Sequence, residues 1–421
     1  MTIDVGCAME QTIQGITEGL RSGRKNGSTA CLLYALAAAL AVLAWQFATV
    51  HLNYAGNWTA LFMSGDLHPV PPQLAAHTYV FKSSAGYDGQ FYRYAAHDPW
   101  LRADWARYYD NPRMRHDRIL LPALAWLFAA GHDEYVDAAY VGLIAGCIFL
   151  GTYWLALYAV EEGHRAAWGL AFLLLPATLT SIDRMTLDVA LAALCVAFVR
   201  YAKTQSFRRL YPVLVLAPLV RETGALLIAA QCLYDLAGRR WRRAAVSATA
   251  ILPAAAWYVY VWNRTALWAA TLPGRNLHHA RLVPRWLFRH SPLGILLKLF
   301  QPDPYPFPPW LNHALQAADV LALCGFLALV AAAVWSLRRY PWDVEQWAML
   351  GFIALALAAS AQTFWGNVYT YARPFSPLVF LAAVRPLRCG RLWTLAPVSL
   401  MALRVIAQMA PQAAGILRGL L

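Results

Sequence analysis

Charged side chains are scarce in this 421-residue chain, and those suited to chemistry fall in four short groups. The first is Asp88, in Gly86-Tyr87-Asp88-Gly89-Gln90-Phe91-Tyr92-Arg93, followed by Ala95-Ala96-His97-Asp98-Pro99. The second is Asp183-Arg184 with Asp188. The third is Arg221-Glu222-Thr223, and the fourth is Tyr369-Thr370-Tyr371-Ala372-Arg373. A loop carboxylate beside aromatic rings, partly desolvated and so raised in pKa, suits a general base that takes a hydroxyl proton. Arginine forks match the oxygens of a phosphate. Tyr87, Phe91 and Tyr92 can stack on a sugar face or form an interfacial aromatic belt.

Each group also has a plainer reading. Asp88 ahead of Gly89 and a helical stretch is a good N-cap. Asp183, Arg184 and Asp188 can be an ion-pair cluster capping a helix that starts near Thr186. Arg221 and Glu222 can pair with each other and leave little charge for a phosphate. Arg373 has no acid close to it in sequence, which makes it the first choice for a phosphate unless an acid of another group pairs with it. His97, His278 and His279 read as interfacial or loop histidines.

These groups need a scaffold, and the composition says which kind. The chain is 60% hydrophobic and only 14% charged, too apolar for a soluble protein of this length. Its apolar runs are long enough to cross a bilayer, which makes it an all-α polytopic membrane protein. The net charge of +13 lies mostly in short clusters between those runs. Membrane topology accounts for such clusters, and nucleic acid is not needed to explain them. The cysteines (Cys7, Cys31, Cys147, Cys195, Cys232, Cys324 and Cys389) mostly sit in apolar runs without C-x-x-C spacing. Neither a disulfide framework nor a zinc site is indicated.

The first span is Ala30–Val50, after a polar tail over residues 1–29 that Arg21, Arg24 and Lys25 hold on the cytoplasmic side. Residues 51–134 then form a large external loop. In it Asp98 reads as the N-cap, and Pro99 as the first residue, of an interfacial helix over Trp100–Tyr109. The apolar piece Arg118–Gly131 reaches about 21 Å, short of a ~30 Å core. If it is re-entrant, Lys203, Arg208 and Arg209, the turn Arg239–Arg243, Arg338-Arg339, and Arg385, Arg388 and Arg391 all fall inside, as the positive-inside rule prefers. About eleven spans follow in one domain over residues 30–421, with a short pair meeting at Arg221. A second external loop covers residues 263–312, where Leu282–Phe300 can lie on the membrane. This topology puts all four polar groups on the outer face.

The segments Tyr87-Asp88-Gly89-Gln90-Phe91-Tyr92, Ala95-Ala96-His97-Asp98-Pro99 and Arg118-Ile119-Leu120-Leu121-Pro122 resemble bacterial membrane proteins of cell-surface glycopolymer formation. More broadly the layout over Ala30–Val384 resembles the GT-C superfamily of polytopic glycosyltransferases. The Arg221-Glu222-Thr223-Gly224 turn and the Tyr371-x-Arg373 pattern fit the same group. The resemblance implies a GT-C-like bundle in the bacterial inner membrane with its site facing the exterior. It implies transfer of a sugar from a polyprenyl-phosphate donor to a glycan or lipid acceptor, usually with inversion. Asp88 would be the catalytic base. Tyr87, Gln90, Tyr92, Asp183, Arg184, Asp188, Arg221, Glu222, Tyr371 and Arg373 would bind substrate, Arg373 leading on the phosphate. Family members with paired acids in the first external loop differ from this chain, where Gly89 follows Asp88. The expected reaction is therefore metal-independent and without cofactor, unless Asp98 or Asp183 approaches Asp88 in space. A transporter or flippase for lipid-linked glycans, or a non-catalytic assembly component, would share the arginines and need no base.

Overall fold

The computed structural model describes residues 5–271, 294–359, 362–388, 393 and 395–421. His278, His279, Arg391 and the Leu282–Phe300 segment as far as residue 293 lie outside them. In chain order, α1 (Val5–Asn53) leads into a polar segment. That segment holds one short parallel pairing, Ser64–Gly65 with Val80–Phe81. Next come α2 (Asp88–His97), α3 (Pro112–Asp117), α4 (Leu120–Phe128) and α5 (Asp133–Glu161). A 3-10 run, Ala166–Leu174, precedes α6 (Pro176–Arg184). Then follow α7 (Asp188–Lys203), α8 (Phe207–Val220), α9 (Ala225–Ala237) and α10 (Leu252–Thr271). Further on lie α11 (Pro309–Arg339), α12 (Val344–Ala358), α13 (Val368–Tyr371), α14 (Ser376–Arg388), α15 (Leu395–Ala407) and α16 (Ala410–Leu420).

Helices prevail because a chain in hydrocarbon must satisfy its backbone within each segment. Among the described residues, four stretches are long and apolar enough to cross a membrane: Gly27–Asn53, Asp133–Glu161, Trp241–Ala266 and Pro309–Arg339. Two bent pairs raise the number to six if each is one span. Ala166–Leu174 meets α6 at 64°, and α15 meets α16 at 52°. Other elements of the expected eleven are helices of 13 to 16 residues: α7, α8, α9, α12 and α14. At 1.5 Å per residue they reach only about 20–24 Å.

The core forms where α5 packs against α1, the 3-10 run and α7. Along Val189–Val199, α7 is apolar on every side and buried on every side, as such a helix must be. Two expectations for the first polar segment change. No helix starts at Pro99. Asp98 closes α2 instead, its carboxylate takes the Arg102 amide, and a 3-10 run forms over Ala103–Tyr108. The apolar piece after Arg118 is the nine-residue α4, shorter still than its sequence suggests.

The seam between α5 and the 3-10 run is tight. A Cβ on Gly169 would stand 2.6 Å from the Thr152 carbonyl oxygen and 2.7 Å from the Ala156 Cβ. Backbone on one side cannot yield, so Gly169→Ala should cost about 1–3 kcal/mol by overpacking. Thermal unfolding of the purified protein in detergent should register the loss, and an unchanged midpoint would contradict this packing.

Candidate functional site

The site is built on the first turn of α2. Gly86 has φ of +71°, a value glycine adopts without strain, and turns the chain into an extended Tyr87 ahead of the helix. Gly89 lets that turn press on its neighbours. A Cβ there would lie 2.2 Å from the Arg184 carbonyl oxygen and 3.0 Å from that of Phe62. Gln90 secures the turn by taking the Gly65 amide and donating to the Ala85 carbonyl, so its role is to hold the loop. Asp88 occupies the first helical position, and its side chain makes no capping bond. The capping reading of Asp88 fails on that point.

Two guanidiniums hold Asp88 instead. Arg115 donates to one oxygen at 2.8 Å and Arg373 to the other at 2.6 Å. Arg115 also forks onto Asp110 at 2.9 and 2.7 Å. Arg373 lies 3.2 Å from Asp188, which also pairs with Arg221. Arg118 grips Glu222 with two bonds, 2.9 and 2.6 Å. The Tyr92 hydroxyl joins the halves by accepting from Arg118 at 2.9 Å and from Arg115 at 3.3 Å. Four arginines (Arg115, Arg118, Arg221, Arg373) thus meet four carboxylates (Asp88, Asp110, Asp188, Glu222) in one balanced network.

This network revises the expected chemistry of Asp88. Burial pushes its carboxyl up, but the Arg115 and Arg373 guanidiniums outweigh burial and hold it well below the usual carboxylate range. The expected raised pKa is therefore reversed. At Asp110, too, burial is outweighed by Arg115, and the carboxyl is lowered. Arg221 and Glu222 are not chiefly each other's partners, standing 3.9 Å apart. Arg373, which has no acid near it in sequence, finds Asp88 and Asp188 across the fold.

Arg184 stands apart from this network. It lies 3.3 Å from Asp183 through Nε, and its guanidinium sits over the rings of Tyr87 at 4.7 Å and Tyr369 at 5.5 Å. Arg373 lies over the same Tyr87 ring at 5.2 Å. Asp183 is tied to Gln412 of α16 at 2.8 Å. The helix after Thr186 starts at Asp188 with no side-chain cap, so Asp183 and Arg184 do not cap it. Tyr371 does not belong to the site. Its ring is buried among Phe326 and Trp365. Asp98 bonds Arg102, and Asp183 bonds Gln412, so neither pairs with Asp88. No group of three His, Cys, Asp or Glu among the described residues is arranged to hold a metal.

Sequence reasoning missed Arg115, Asp110 and Asp117, and quoted Arg118 only as part of a motif. The one local signal was the density of charge in Arg113-Met114-Arg115-His116-Asp117-Arg118, unusual just ahead of an apolar helix.

An apolar groove of about 620 Å³ adjoins the network. Its walls are α4, α5, α7 and α8, through residues such as Leu120, Leu124, Gly146, Ala193 and Leu216. Three of these walls end at the network. α4 begins two residues after Arg118, α7 begins at Asp188, and α8 stops just before Arg221. From Ala139 to Trp154 the groove follows α5 for about 22 Å. A Cβ on Gly142 or Gly146 would meet nothing within 4 Å. Helix-interior glycine costs roughly 0.5–1 kcal/mol against alanine, and no packing among the described residues calls for it here. A second apolar cavity, about 150 Å³, lies near Tyr158 and Phe380, toward the end of α5 opposite Ala139.

Comparison of the chain with protein-family models, curated proteins and solved structures finds no match.

Two outcomes are expected from this geometry. Because folding depresses the Asp88 pKa, its stabilisation is complete above the ordinary carboxyl value of 3.8 and is lost as pH falls below it. The melting temperature should drop below about pH 4, and Asp88→Asn should flatten that drop. Gly89→Ala should push the first turn of α2 off the Arg184 carbonyl and cost about 1–3 kcal/mol in detergent unfolding. An acid limb identical in the Asp88→Asn protein would contradict the ion pairing.

Proposed function

We propose that the chain is a membrane glycosyltransferase that moves a sugar from a polyprenyl-phosphate donor to a cell-envelope glycan or lipid acceptor. The observation that carries this reading is the junction of a polar network with a long apolar groove. A polyprenyl tail fits a groove whose glycines nothing else fills, and the phosphate at its head then meets Arg118 and Arg221. Arginine forks suit that phosphate and the charge it gains as the sugar leaves. Tyr87 holds the Arg184 and Arg373 guanidiniums over its ring, beside Asp88.

The balanced network gives Asp88 a conditional role. With both oxygens held by arginines it is a weak base. A phosphate that takes Arg221 frees Asp188 to draw Arg373 off Asp88, and the Asp88 carboxylate regains basicity. The acceptor hydroxyl then attacks the anomeric carbon opposite the phosphate. Its proton passes to Asp88, and the bonding pair of the broken C–O bond stays on the phosphate. Inversion follows from that in-line course. About eleven membrane passes, with the short helices counted, and a site facing outward in a bacterial inner membrane complete the proposal.

The test is transfer by the purified protein, offered a panel of polyprenyl-phosphate sugars. Asp88→Asn keeps size and should lower the rate by about 10²–10⁴-fold, the span typical of a lost base. Transfer at the parent rate in a folded variant would contradict the role of Asp88, and transport without transfer would favour a flippase. The groove has its own test. Gly146→Leu should displace about two methylenes of tail, worth ~1.6 kcal/mol, and raise the KM of a long-chain donor more than tenfold. A short-chain donor should be spared.

A further inference from the structure

One acid beside the network has no hydrogen bond or ion pair among the described residues. Asp117 closes α3, next to Arg118, and is 6% exposed. Its Oδ1 is buried without any hydrogen bond. The neighbouring cations Arg118 and Arg113 lower its pKa by their charge, but among the described residues their hydrogen bonds go elsewhere. Arg118 forks onto Glu222. Arg113 donates to the Thr265 hydroxyl and stacks on Trp262 at 3.8 Å. Glu222 adds negative charge close to Asp117, and the Tyr258 hydroxyl, turned to the Pro218 carbonyl, offers it no proton. His116 faces the carbonyls of Pro112 and Asp98. A carboxyl so placed is held in its protonated form, because ionised it would be buried, unpaired and beside another anion.

We propose that Asp117 is the general acid of the transfer, donating its proton to the phosphate oxygen that leaves the sugar. This rests on the glycosyltransferase reading above. The donor's phosphate, with its tail in the groove, comes to the Arg118 end of α4, which is also where Asp117 stands. The two carboxyls then divide the work. Asp88 is ionised and can receive a proton, and Asp117 holds one and can give it. Environments that drive two acids apart in this way mark base and acid.

The step balances. The acceptor oxygen bonds to the anomeric carbon and yields its proton to Asp88. The C–O bond to phosphate breaks with its electrons on the phosphate oxygen, and that oxygen takes the proton of Asp117. The phosphate leaves singly protonated, and proton return from Asp88 to Asp117 through water resets both groups. Supporting values agree: burial first, and then the Glu222 charge, raises Asp117 to about 7. The second ionisation of a phosphate monoester lies near 6, a close match for transfer between the two.

The experiment follows transfer against pH with a polyprenyl-phosphate sugar donor, alongside melting of the same proteins in detergent. In the parent the rate should fall above about pH 7 as Asp117 loses its proton. Asp117→Asn should lower the rate about 10²-fold or more and abolish that alkaline limb, and Asp117→Glu should restore part of the rate with a shifted limb. The melting arm reads the proton without turnover. Since folding raises this pKa, its contribution is complete below 3.8 and lost as pH climbs through about 7. The parent should therefore soften between those values while Asp117→Asn does not, and Asp117→Asn should melt higher at pH 8. If the parent transfers sugar and Asp117→Asn keeps both its rate and its alkaline limb, the inference alone falls. If the parent transfers no sugar from any such donor, the glycosyltransferase reading falls and takes the inference with it.

Discussion

Charge that is carried into an apolar bundle must be paired there. Taking a guanidinium or a carboxylate out of water costs several kcal/mol, recovered only by a well-aligned partner. Asp188 is 2% exposed and Arg115 is 5% exposed at the side chain, so neither can keep its charge without the other groups around it. That constraint explains why Asp88, Asp110, Asp188 and Glu222 assemble with Arg115, Arg118, Arg221 and Arg373. It also explains how distant parts of the chain are locked together. The network ties α2 to α3, to the start of α7, to the break between α8 and α9, and to the turn between α13 and α14.

The same constraint gives the site its character. A set of ions balanced among themselves is poised rather than idle. In the proposed transfer, the donor phosphate exchanges for a carboxylate already there, and its binding and the release of the Asp88 carboxylate are one event. Asp117, outside this pairing, is pushed the other way, up to about 7, by burial and the Glu222 charge. The apolar groove supplies, in the proposed transfer, a place for the hydrocarbon tail of the donor.

Much of this was legible in the residues and some was not. Apolar runs announced the helices of Asp133–Glu161 and Pro309–Arg339, because hydropathy acts locally. The four polar groups were recognisable as costly, and all four converge, through Asp88, Asp188, Arg221 and Arg373. Their partners were hidden, since Arg373 and Asp88 are 285 positions apart and no local pattern encodes that bond. The pKa of Asp88 was misjudged for the same reason: burial was visible in the aromatic neighbours, but the two arginines that outweigh it were not. Asp98 was misread because Asp-Pro fits a helix start, while the Arg102 amide and side chain claim its carboxylate after α2 has ended. Gly89 looked like a mere departure from a paired-acid motif, whereas contact with the Arg184 carbonyl leaves no room for any side chain.

In the proposed complex the lipid-linked donor lies with its tail along α4, α5, α7 and α8 and its phosphate at the arginines. A polyprenyl phosphate carrying a photoreactive group on its tail tests this most directly, with the labelled positions mapped by peptide sequencing. Labels should fall between Leu120 and Trp154 and on Ala190–Leu194, and excess inorganic phosphate or the unlabelled lipid phosphate should reduce them, but the matching prenyl alcohol should not. Labels concentrated near Tyr158 and Phe380, or indifferent to the phosphate group, would contradict it.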